Sequence, residues 1–93
     1  MLFMLIHNHT PENCFTGRTE DRRKCFADLN ASFTKANVTV KGFYTAGYAH
    51  TFYFILEGND QAALQSSLAP LYKVGMGQLI PITQQTLERM ATM

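Results

Sequence analysis

The chain has 93 residues, which is room for one domain, and at that size the core is marginal and association is a common remedy. Apolar residues make up 46% and charged residues 16%, below the usual soluble share of about 25%, so part of the surface is expected to be hidden by a partner subunit. A net charge of +1 gives no electrostatic case for nucleic acid or for an anionic membrane.

Residues 2 to 9 read as the first strand. Alternate residues of a strand share a face, so Phe3, Leu5, His7 and His9 lie on one side. Leu2, Met4, Ile6 and Asn8 lie on the other. Both sides are apolar until the end of the run, which predicts a central strand buried on both faces. Thr10-Pro11 ends the ladder, because proline has no N–H to donate. The apolar start has no basic segment before it and is too short for a signal sequence or a membrane span. The expected setting is the reducing cytoplasm, with Cys14 and Cys25 as free thiols.

Residues 10 to 17 read as a loop, followed by a helix over about 18 to 36. Thr16 or Thr19 is the expected cap, and Glu20 and Asp21 suit the positive end of the helix dipole. Its apolar stripe is the Arg22 stem, Cys25, Phe26, Leu29, Phe33 and Ala36. Cys25 therefore reads as core. Arg18, Arg22, Arg23 and Lys24, interrupted by Glu20 and Asp21, read as a solvated face. Asn37 is the expected stop.

The second strand spans about 38 to 45. Strict alternation puts Val38, Val40 and Tyr44 on one face and Thr39, Phe43 and Thr45 on the other. Lys41-Gly42 marks a bulge or an edge device. After the Ala46-Gly47 turn, a third strand over about 49 to 57 sets His50, Phe52, Phe54 and Leu56 against Thr51, Tyr53, Ile55 and Glu57. Gly58-Asn59-Asp60 is a turn and cap. A second helix over about 60 to 69 buries Leu64 and Leu68, and Pro70 is expected to end it. The last strand spans 77 to 83, where Pro81 makes it an edge strand. The tail from Gln84 to Met93 reads as a short helix or a frayed end.

The order strand, helix, strand, strand, helix, strand is that of an α+β ferredoxin-like domain, with an antiparallel four-stranded sheet ordered four, one, three, two. Two helices cover only one face of such a sheet. The other face still carries large apolar side chains, which rarely stay exposed on a monomer. A homodimer packed sheet to sheet is the expectation.

At this point the chain resembles the dimeric α/β-barrel superfamily, which includes muconolactone isomerase-like proteins, small monooxygenases and ligand-sensing domains. The resemblance is carried by Met1-Leu-Phe-Met-Leu-Ile6, Tyr53-Phe-Ile-Leu-Glu-Gly58 and Leu68-Ala-Pro-Leu-Tyr72 leading to Leu79-Ile-Pro-Ile-Thr83. It implies a fold and a dimer. The fold hosts unrelated activities, so it implies no particular chemistry.

The topology brings the end of the first strand beside the start of the third. His7, His9 and His50 are all the histidines of the chain, and they are expected to meet at one rim. Glu12 and Cys14 lie in the loop there. Two rings leaving one strand face about 7 Å apart at Cα are close enough to hold one metal. His7, His9, His50, Glu12 and Cys14 are therefore the candidate ligand set, for a divalent metal such as zinc, iron or copper. His7, His9 and His50 are also the candidate general bases. Tyr44, Tyr48, Phe52 and Phe54 are the expected lining of a pocket for a small, partly aromatic or carbonyl compound. The bland alternative is that these are polar residues where a strand leaves the core, and tyrosines with wet hydroxyls. Three functions stay open: an enzyme, a ligand- or metal-sensing module without turnover, and a structural dimer subunit. No dinucleotide fingerprint, P-loop or Ser-His-Asp order is present.

Overall fold

A computed structural model describes residues 1–93. The elements are β1 (Leu2–Asn8), α1 (Thr19–Lys35), β2 (Thr39–Ala46), β3 (Thr51–Glu57), α2 (Gln61–Ser67), α3 (Ala69–Tyr72), β4 (Met76–Ile82) and α4 (Leu87–Thr92). The four strands form one antiparallel sheet in the order β2-β3-β1-β4, and the sheet is open at both edges. This α+β architecture is compatible with a ferredoxin-like fold. No helix is long and apolar enough to cross a membrane.

The central position of β1 and β3 follows from their side chains. Phe3 pairs with Leu56, Leu5 with Phe54 and His7 with Phe52, so one face of the two strands is continuous. Onto that face pack Leu29 and Phe33 of α1 and Leu64, Leu68 and Leu71 of the α2–α3 segment, forming the core. Phe3, Leu5, Leu56, Leu64, Leu68 and Leu71 have no exposed surface. The other face of the sheet carries Leu2, Met4, Ile6, Tyr53, Ile55, Ile80 and Ile82, all half-buried. No helix occludes these residues as the core ones are occluded.

Local signals set most boundaries. Asn37 adopts φ 56° after α1, a left-handed conformation that asparagine tolerates better than most residues. The Asp60 carboxylate accepts from the N–H groups of Ala62 and Ala63 and caps α2. Thr86 caps α4 through the Arg89 N–H, so the tail forms its helix, with Leu87 and Met90 exposed. Pro81 does lie on an edge strand, since β4 pairs with β1 alone.

Four expectations are corrected. The cap of α1 is neither threonine: Arg18 occupies the position without a side-chain capping bond, and Thr19 is already helical. Pro70 does not end the second helix. The chain bends at Leu68, and Pro70 sits in the first turn of α3, where a missing N–H costs nothing. β3 starts at Thr51, because His50 is left-handed (φ 49°, ψ 45°) and closes a short 3-10 turn over Gly47–Ala49. The bulge in β2 also changes its faces. Val40 pairs with Leu56 and Gly42 with Ile55, so Lys41 is the extra residue. Beyond it the alternation is shifted by one. Val40, Phe43 and Thr45 share the helix-covered face, and Tyr44 lies on the opposite one.

Candidate functional site

The end of β1 delivers two imidazoles to the covered face, with different fates. His7 is fully buried. Its Nε2–H donates to the Leu71 carbonyl at 2.8 Å, and its ring stacks on Phe52 at 5.6 Å between centroids. Burial holds its pKa below the usual histidine value, against the Leu71 bond, which favours the cation, and with help from nearby His9. His7 is thus a neutral side chain tied to the α3 backbone.

His9 lies one residue beyond the strand. Its N–H donates to the His50 carbonyl at 3.0 Å, which continues the β1–β3 ladder past the last strand pair. Asn8 and Thr51 close that pair from the other side, the Thr51 hydroxyl lying 2.8 Å from the Asn8 Oδ1. The left-handed turn at His50 then places its ring edge-on to that of His9, with centroids 5.3 Å apart at 79°.

Cys14 arrives from the loop. Pro11–Asn13 form a 3-10 turn closed by the Cys14 N–H on the Pro11 carbonyl. Arg18 holds the loop from the helix side, donating to the Glu12 carbonyl at 3.2 Å while it pairs with Asp21. One ligand atom each from His9, Cys14 and His50 fall within 4.8 Å of one another. The Cys14 thiol is pulled down to about 6 by the Thr16 hydroxyl and backbone first, then by His9 and His50. The Thr16 Oγ1 lies 3.2 Å from its sulfur. Cys14 is therefore largely thiolate at neutral pH. Cys25 is the opposite case. It is half-buried, its S–H donates to the Pro70 carbonyl, and burial raises its pKa.

The three side chains help line a cavity of about 640 Å³ between α1, β2 and the start of β3. Phe15, Phe26, Phe43 and Phe52 give it aromatic walls, and Arg22 and Arg23 stand on the α1 side. Phe52 meets Phe26 and Phe43 edge-on at 5.7 and 5.8 Å. Arg22 is exposed, as expected of the charged helix face, and its place in the stripe puts it on the cavity rather than in the core; it has no carboxylate partner, whereas Arg18, Arg23 and Lys24 each have one.

Of the residues singled out from sequence, His9, His50, Cys14 and Phe52 come together. His7 is adjacent, 6.1 Å from His9 between ring centroids, but its Nε2 is engaged by Leu71. Glu12 is exposed and outside the cluster, its carboxyl kept acidic by its own backbone N–H and by Thr10. Phe54 lies behind the wall, stacked on Phe43 at 4.3 Å. Tyr44 is on the far face of the sheet, and Tyr48 is fully exposed on the turn. Phe15 and Phe43 are walls that the sequence pattern does not mark. Phe26 had a visible signal in its helix phase, shared with Arg22 four residues earlier.

No protein-family model matches this chain, and no curated protein matches it.

Proposed function

We propose that the chain is a small-molecule-binding protein, assembling as a dimeric α/β barrel, whose cavity takes a small, partly aromatic or carbonyl compound. The observation that carries this reading is the joining of two chemistries in one space. Four phenylalanines offer an apolar, planar-walled volume, and beside Phe52 the same lining carries a thiolate flanked by two imidazoles. Ligand pockets commonly combine a mostly apolar wall with a few convergent polar groups, one of them with a perturbed pKa. A volume near 640 Å³ suits a one- or two-ring molecule. The half-buried apolar face of the sheet supports the dimer.

The same cluster supports an enzyme over a passive binder. A thiolate beside imidazoles has a nucleophile and a proton carrier in one place. Acetophenone and benzaldehyde, titrated into isotope-labelled protein, are expected to shift the amide signals of Phe15, Phe26, Phe43 and Phe52. Shifts spread over the surface, or none, would remove the reading. Among compounds that bind, turnover lost in His9→Ala with affinity retained would establish the enzyme. Binding without turnover of any bound compound would establish the sensing module.

A further inference from the structure

We infer that His9, Cys14 and His50 form a three-ligand zinc site whose fourth position opens into the cavity. This builds on the reading of the cavity as a binding site, and it adds the cofactor. The geometry comes first. In a tetrahedral site with Zn–N of about 2.0 Å and Zn–S of about 2.3 Å, ligand atoms stand roughly 3.3–3.6 Å apart. Here one such atom from each residue already falls within 4.8 Å of the others. Closing the rest takes about 1 Å, within reach of side-chain rotation about Cys14 in its loop.

A second observation points the same way. The Nδ1 atoms of His9 and His50 are buried and have no hydrogen-bond partner. A buried polar atom without a partner is costly and rare. The His7 Nδ1 shares that state, but the Leu71 carbonyl holds its ring, and His7 is not in the cluster. Apart from their interaction with Cys14, the rings of His9 and His50 have no side-chain bond that fixes their tautomer.

The donor set selects the metal. Two imidazoles and one thiolate suit zinc, and they exclude calcium and magnesium, which take oxygen ligands. The non-haem iron triad requires a carboxylate, and Glu12 lies outside the cluster. A blue-copper site usually adds an axial methionine, and none lines the cavity. Binding forms two Zn–N bonds and one Zn–S bond. The imidazoles bind as neutral donors and Cys14 binds as its thiolate, any residual thiol proton leaving to solvent. One thiolate leaves the centre with a net positive charge, and Arg22 adds another on the same cavity, so the open position favours water, hydroxide or an anionic oxygen of a ligand.

The test uses the full chain, reduced and stripped with a chelator, titrated with zinc against a chromophoric chelator and separately with cobalt(II). One zinc per chain is expected, with a tetrahedral cobalt spectrum that includes a thiolate-to-cobalt charge-transfer band. Cys14→Ser is expected to abolish that band and weaken zinc about tenfold or more, and His50→Gln to weaken it to a similar degree. Glu12→Gln should bind as the parent does. Circular dichroism identifies any variant that fails to fold, and then His9→Gln takes its place. No zinc uptake by the parent, an octahedral cobalt spectrum without the thiolate band, or unchanged affinity in Cys14→Ser would overturn the site. The acetophenone titration, run on metal-free protein, reads the cavity separately, so loss of the zinc site leaves that result standing.

Discussion

The backbone N–H of His9 donates to the carbonyl of His50 at 3.0 Å, one step beyond the last residue pair of the β1–β3 ladder. That single bond fixes two imidazoles from opposite ends of the sequence relation between β1 and β3. It ties the histidine pair to the sheet register, with both residues just outside the strands and His50 in its left-handed turn. Cys14 comes from a loop without such a tie to the sheet, so the sulfur is the more adjustable member.

The first consequence concerns Cys14 reactivity in metal-free protein. Alkylation requires the thiolate, and Cys14 titrates at about 6 rather than near the free-cysteine value of about 8.5. The rate of iodoacetamide labelling at Cys14, followed by peptide mass, is expected to be at its plateau by pH 7. Thr16→Val should move the midpoint up more than His9→Ala does, because the Thr16 bonds are the larger cause. Cys25 should label slowly throughout. A Cys14 profile still rising steeply above pH 8 would contradict the geometry around Thr16.

Acid should destabilise the fold through His7. Its folded pKa lies below the ordinary histidine value of about 6.5, so between the two values the unfolded chain binds more protons. Stability from this group is present above about pH 6.5 and is lost as pH falls toward the folded pKa. The urea midpoint of metal-free protein should therefore drop between pH 7.5 and 5.5. In His7→Gln, which keeps a donor for Leu71 but cannot titrate, the drop should shrink. An equal drop in both proteins would show that other groups carry the acid sensitivity.

Gly75 is held in place by contact rather than by backbone freedom. A Cβ there would collide with the Asn8 carbonyl oxygen and come within 2.8 and 2.9 Å of the His7 ring. The His7 ring cannot move aside without breaking its bond to Leu71. Gly75→Ala is expected to cost about 1–3 kcal/mol, as overpacking of a dense site does. Gly47→Ala is the control, since nothing lies within 4 Å of its Cβ, and its effect should stay within about 0.5 kcal/mol. Equal urea midpoints for the two variants would refute the packing around His7.

Sequence pattern carried the sheet order because it depends on alternation in β1 and β3, which neither strand interrupts, whereas the place of His50 is set by a left-handed turn before β3 that alternation does not foretell. The pairing of Phe3 with Leu56 and Leu5 with Phe54 was legible, and with it the meeting of the rims. The cavity walls were less so. One inserted residue, Lys41, turns Phe43 inward and Tyr44 outward, and a sequence marks a bulge more readily than the side on which it slips the register. His7 and His9 looked equivalent by periodicity. What separates them is the Leu71 carbonyl, supplied by a helix 64 residues away along the chain. Glu12 sits only two residues before Cys14, yet the 3-10 turn between Pro11 and Asn13 sends the two side chains to different places.

The last prediction concerns the helix-free face of the sheet. Met4, Ile6, Tyr53, Ile55 and Ile80 are half-buried there, around the centre of β1, β3 and β4. Covering about 500 Å² of apolar area on each copy would contribute about 12 kcal/mol per copy, or about 25 kcal/mol per dimer, against association costs of about 4–15 kcal/mol plus side-chain ordering at the contact. A symmetric contact would bury the substituted charge twice, and each unpaired charge costs several kcal/mol to desolvate. The parent chain is expected to sediment as a dimer at micromolar concentration. Ile55→Asp should sediment as a monomer with its circular dichroism retained, since Ile55 faces away from the core that holds the domain together. Phe54→Asp, one residue along and inside that core at 2% exposure, should unfold instead. A parent that sediments as a folded monomer would remove the dimer. An Ile55→Asp chain that stays dimeric would place the contact on another surface.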